Sequence, residues 1–167
     1  EARPFVRDGT AVAVEKKWGW VDQEGKEIIP LQYDETLDFA SGTAAVRLGG
    51  NWGYIDTKGK LIITPIYGGA REFSEGVAAV AQPSGGWGYI NRSGKWVIAP
   101  AYDAAFSFAG ALAIVGRSNT AGIIKRNGDF LVPLSYHSIR PYSDGMAMVS
   151  NRESKVGYLN KRGELVI

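Results

Sequence analysis

The chain has 167 residues, 45% of them hydrophobic, which is enough to bury one core without disulfide or metal staples and excludes a disordered tail. Its 19 basic and 17 acidic residues leave a net charge of +2. They are interleaved, with basic runs no longer than pairs such as Lys16-Lys17, so neither a phosphate-tracking surface nor a nucleic-acid partner is expected. No apolar stretch is long enough to span a membrane as a helix, and the absence of Cys excludes disulfides, thiolate nucleophiles and cysteine zinc sites.

In chain order, one string recurs. Trp18-Gly19-Trp20-Val21-Asp22 returns as Trp52-Gly53-Tyr54-Ile55-Asp56 and Trp87-Gly88-Tyr89-Ile90-Asn91. It decays to Ala121-Gly122-Ile123-Ile124-Lys125 and recovers as Val156-Gly157-Tyr158-Leu159-Asn160, at spacings of 34, 35, 34 and 35 residues. Each start is followed by a Gly seven residues on (Gly25, Gly59, Gly94, Gly128, Gly163). In the first four copies a Tyr, an aromatic and a Val follow in fixed register, as in Tyr67, Phe73 and Val80. Phe5 and Val12 fill the last two slots ahead of Trp18.

Each copy reads as a β-hairpin followed by a third short strand around the Val. The connector Asp-x-x-Gly-Lys closes the hairpin, so turns are expected at 22–26, 56–60, 91–95, 125–129 and 160–164. Gly59 should take a left-handed conformation there. An irregular crossing of about a dozen residues, opened by Pro30, Pro65, Pro100 or Pro133, joins the second and third strands. Alternation puts Trp52 and Tyr54 on one face of the first strand, with Gly53 and Ile55 on the other. A strand apolar on both faces must be covered on both, which implies stacked units with Trp18, Trp52 and Trp87 in the core. The slot Gly would admit a neighbouring backbone or ring. The expected fold is therefore all-β: one domain over 1–167 of about five three-stranded hairpin repeats, stacked as an open solenoid-like array. A closed five-bladed, propeller-like ring is the alternative.

These registers resemble the WG, or KWG, repeat family, whose second half is matched closely by Phe73-Ser74-Glu75-Gly76-Val77-Ala78-Ala79-Val80. The resemblance covers essentially the whole chain. It implies a bacterial protein of the cell envelope or a secretion system, and it brings no catalytic motif. The fourth copy departs from the pattern: Ala121 stands for Trp, Lys125 for Asp, and His137 for Asp34 or Asp103, while ahead of it Ala111 stands for the slot Gly of Gly42 and Gly76. Residue 1 is Glu rather than Met, which hints at a processed or omitted leader and favours an extracytoplasmic location.

For chemistry the sequence offers little. His137 is the single histidine, and no nucleophile setting accompanies it, so a turn position is expected. The Asp turns lack alternating acidic ligands, so they cap turns and no metal or cofactor is expected. Glu35 with Asp38, or Glu72 with Glu75, are the carboxylate pairs a hydrolase would use, yet they occupy ordinary repeat or solvent positions. Slots filled alike in every copy are explained by folding, whereas off-pattern residues are free to serve a partner. Those are Trp20 and Trp96, expected to point outward, and Arg47, Arg71, Arg117 and Arg140. The expected binding face comprises Trp20, Trp96, Arg71, Arg117, His137 and Arg140, on a non-enzymatic module for a protein partner of the envelope-assembly or toxin-neutralising kind. A glycan or cell-wall-polymer binder is the alternative, and a carboxylate hydrolase the third reading.

Overall fold

The computed structural model describes residues 9–167; Phe5 lies outside them. Among the described residues there is no helix, and the strands form five small antiparallel sheets in chain order. The first holds β1 (Thr10–Val14), β2 (Lys17–Val21) and β3 (Glu27–Tyr33). The second holds β4 (Glu35–Thr36), β5 (Thr43–Leu48), β6 (Asn51–Asp56) and β7 (Leu61–Tyr67). The third repeats this with β8 (Gly69–Ala70), β9 (Val77–Ala81), β10 (Trp87–Asn91) and β11 (Trp96–Tyr102). The fourth follows with β12 (Ala104–Ala105), β13 (Leu112–Arg117), β14 (Thr120–Lys125) and β15 (Phe130–Tyr136). The fifth has β16 (Ser138–Ile139), β17 (Met146–Ser150) and β18 (Val156–Asn160), with Leu165 bridged to Leu159.

The expected hairpin turns form at all five places. In each, the Gly N–H donates to the carbonyl three residues back, as Gly59 does to Asp56 at 3.0 Å. Gly25, Gly59, Gly94, Gly128 and Gly163 all have φ between 76° and 90°. The Asp56 carboxylate accepts the N–H groups of Lys58 and Lys60, both at 2.9 Å, so it is a turn cap.

Three details differ from the expectation. The Val strand pairs with the Trp-Gly strand that follows it (Val46 opposite Gly53), and the crossing contributes a two-residue outer strand, so the second to fourth sheets are four-stranded meanders. Pro65 does not open the crossing. It sits inside β7, where the register jumps between Trp52–Tyr67 and Tyr54–Ile63, a bulge that spares it from donating to the ladder. That bulge also explains the slot Gly. A Cβ on Gly53 would lie 2.5 Å from the Ile63 carbonyl oxygen and 2.7 Å from the Pro65 nitrogen, so the close approach comes from the same sheet.

Stacking is the source of the core. Tyr54 and Ile55, adjacent on β6, are both fully buried because one faces the third sheet and the other the first. The same pair recurs as Tyr89 and Ile90. Four buried clusters result, one at each contact between consecutive sheets. Among the described residues no cluster joins the fifth sheet to the first, as an open array requires. Tyr158, in the slot of Tyr89, is only half-buried. Trp18, Trp52 and Trp87 are half-buried too and pack against the clusters from the side, so the core proper belongs to the Tyr and Ile slots.

Candidate functional site

Seven of the fifteen exposed large hydrophobics among the described residues lie on the last strand of one of the first four meanders. Ile28, Leu61, Ile62, Ile66, Trp96, Val97 and Phe130 all belong to β3, β7, β11 or β15. This strand pairs on one side only, so its outer edge is an edge of the sheet. Leu61, Trp96 and Phe130 open β7, β11 and β15 at equivalent positions and form a row across three consecutive sheets. Trp96 is 39% exposed, and its ring meets Tyr67 of the previous sheet edge-on at 5.9 Å. Phe130 stands in the same relation to Tyr102 at 6.5 Å. The rings are thus held from below by a neighbouring unit while their outer faces stay in solvent, an arrangement of rigid aromatic anchors.

A second row runs along the opposite edge. The backbone N–H groups of Leu37, Arg71, Phe106 and Arg140 donate to Ala45, Ala79, Ile114 and Met148, which places all four at one slot of consecutive sheets. Arg71 bridges sheets: its Nε donates to the Ala105 carbonyl at 2.7 Å, and its guanidinium lies 4.7 Å from the Phe106 ring centre and 5.5 Å from that of Trp87. Arg140 is exposed beside Met148 and Tyr158.

The expected binding residues do not form one face. Trp20 is a correction: it is 3% exposed, packed 5.2 Å from Phe39, because its slot is the buried Tyr slot and a larger ring fits there. Trp96 joins the apolar belt, and Arg71 and Arg140 the second row. Arg117 and His137 lie apart, near the strand ends. Arg117 Nε donates to Ala101 at 2.7 Å with its charge over Tyr102, and His137 is exposed. The belt itself escaped sequence reasoning because Ile62, Ile66 and Val97 look like ordinary strand residues. The signal available was the outermost place of their strand.

The carboxylates are engaged in structural ties. Glu35 meets Arg47 at 3.2 Å, and Glu72 accepts from Ser107 of the next sheet at 2.8 Å. Glu75 accepts from the Ala111 N–H at 3.0 Å and pairs with Arg126 at 3.2 Å. Among the described residues no group of three or more His, Asp or Glu converges as metal ligands would. Burial pushes the Tyr54 and Tyr89 phenols well above the usual tyrosine range, as expected of neutral core groups.

Among curated proteins no sequence matches this chain. Solved structures match it in fold. BamB from Moraxella catarrhalis is 15% identical with a TM-score of 0.57, covering 98% of this chain and 58% of its own. Hsv2 from Kluyveromyces lactis is 12% identical with a TM-score of 0.62, covering 99% of this chain and 64% of its own. The WD40 β-propeller domain of Doa1 is 9% identical with a TM-score of 0.50, covering 99% and 66%. The chain therefore spans less than two-thirds of BamB or of Hsv2, and the shared feature is the small antiparallel sheet used as a propeller blade. WG containing repeats match at residues 18–52, 52–82, 87–118 and 122–153, most of the chain, so this protein belongs to the WG repeat family.

Proposed function

We propose that this chain is a non-enzymatic interaction module whose partner is a protein, engaged through the apolar belt on the last strand of each sheet. The observation behind this reading is the row Leu61, Trp96 and Phe130, three exposed apolar side chains at equivalent positions, backed by Ile62 and Val97. A contiguous exposed apolar surface on a rigid scaffold marks a contact site, and anchored aromatic rings are the residues that carry binding energy in such contacts. Its resemblance to propeller-type folds agrees with a scaffold role, since those sheets present edges and loops to other molecules. No helix among the described residues is long and apolar enough to cross a membrane.

Trp96 and Phe130 also fit the alternative, a glycan, because two exposed rings in line can stack on successive sugars. A pull-down from native extract with Trp96→Ala and Phe130→Ala beside the parent chain separates the two. A protein retained by the parent and lost by both variants supports the first reading. Retardation by cell-wall polysaccharide, abolished by the same variants, supports the second. Equal retention of every bound species by all three chains refutes the belt as the site.

A further inference from the structure

At the contact between the fourth and fifth sheets the repeat breaks its packing rule, and a cleft opens. In the other contacts the Tyr-slot ring packs on the aromatic of the next unit: Trp20 on Phe39 at 5.2 Å, Tyr54 on Phe73 at 4.7 Å, Tyr89 on Phe108 at 4.9 Å. In the fourth unit the ring is replaced by Ile123, opposite Tyr142. Ile114 stands where Ala45 and Ala79 stand in the sheets before, and takes back some of the volume. It remains half-exposed rather than buried, so the two aliphatic chains do not reproduce the flat space a ring fills. A cleft of about 100 Å³ is left. Its walls include Phe106, Ser107, Leu112, Ile114, Ile123 and Tyr142, and it opens to solvent beside exposed Phe106.

The geometry points to a binding site for one small phenolic ring in this cleft. The space is the one a tyrosine ring occupies in the sister contacts, and apolar space of this order of size can take up benzene-sized molecules. The side chains of the walls carry no charge, so an uncharged ligand suits the cleft better than an ion. Polarity enters at Ser107. Its hydroxyl donates to Glu72 Oε1 at 2.8 Å, so its lone pairs remain to accept a proton from a ligand hydroxyl. An uncharged ring with one hydroxyl donor therefore matches the cleft better than a bare hydrocarbon or an acid. The Tyr142 hydroxyl already donates to the Asn160 carbonyl at 3.0 Å and holds that wall in place.

The test is titration of the whole chain with p-cresol, which is the tyrosine side chain as a free molecule, followed by NMR shifts and calorimetry. Saturable binding is expected, with shifts confined to Leu112, Ile114, Ile123 and Tyr142, and with toluene at least about tenfold weaker, the worth of one hydrogen bond. The double variant Ile114→Ala/Ile123→Tyr rebuilds the sister contact and should abolish binding. Should that variant not fold, Ala109→Trp plugs the mouth from an exposed position and should do the same. No saturation by p-cresol, or undiminished binding in a folded variant, overturns the proposal. So does a response spread over the apolar belt instead of the cleft.

Discussion

The third and fourth sheets carry the same strands in the same order, yet only the third obeys the repeat at each level. On the third, Tyr89 is fully buried against Phe108 and donates its hydroxyl to the Phe106 carbonyl at 2.8 Å. Asn91 caps the hairpin by accepting from Ser93 and Lys95, both at 3.0 Å. The tight turn before β9 uses Glu75 and Gly76 at positive φ. On the fourth sheet Ile123 has no hydroxyl to give, and the Lys125 side chain has no acceptor to offer the turn. Ala111 is forced to φ 65° where the others use Gly. The fourth sheet still forms, with an unbroken β13–β14 ladder. Pairing and burial of Ile123 and Ile124 are therefore sufficient for the fold, and the aromatic slot, the cap and the turn Gly add stability on top of it.

That contrast can be broken most directly at Tyr89. Tyr89→Ala removes a fully buried ring from between two sheets and should cost about 3–5 kcal/mol in urea unfolding. A loss below about 1 kcal/mol would show that the aromatic slot is no more important than its aliphatic counterpart on the fourth sheet. Next in size is Tyr89→Phe, which keeps the ring and drops one buried hydrogen bond, for a loss of about 1 kcal/mol. It should also alter the alkaline limb. Burial raises the folded-state pKa of this phenol, so its contribution is fully present below the unfolded value of about 10 and is lost as pH climbs beyond it. The parent should therefore weaken above about pH 10 more steeply than Tyr89→Phe.

Repairs of the fourth sheet should act in the opposite direction. Ala111→Gly relieves a left-handed alanine and should stabilise by about 1 kcal/mol, read as a higher melting temperature. Lys125→Asp restores the missing turn acceptor and should add about 0.5 kcal/mol, the low end for a solvent-exposed hydrogen bond. If neither repair helps, the fourth sheet has settled into its own optimum and is not a weakened copy of the third.

How much of this was legible in the sequence follows from what a register encodes. Fixed offsets locate turns, since a Gly such as Gly59 is needed at one backbone position whatever surrounds it. The double burial of Tyr54 and Ile55 was likewise readable from an apolar run on both faces. Pairing partners were less accessible. Nothing local tells Val46 whether to join the hairpin before it or the one after. The bulge at Pro65 hides the same way, because it changes which backbone covers Gly53 without changing the spacing. The site was read least well. An off-pattern aromatic does not announce its direction, since Trp20 is a larger ring in a buried slot and Trp96 a ring in an exposed one. Substitution within a slot does not reveal which way the slot faces. That depends on the sheet next door.

The four buried clusters carry a mechanical consequence. Among the described residues each sheet is held by its immediate neighbours, through one cluster at each contact and a few ties such as Ser74 Oγ to the Phe108 carbonyl at 2.6 Å. Tension along the chain therefore has no common core to rupture at once, and it loads the contacts in series. Each yielding contact frees one unit of 34 or 35 residues. Such a unit pays out on the order of 115–125 Å of extended chain. A pulled molecule would lengthen in near-equal steps, and the contact that lacks its aromatic pair is where the first step is set.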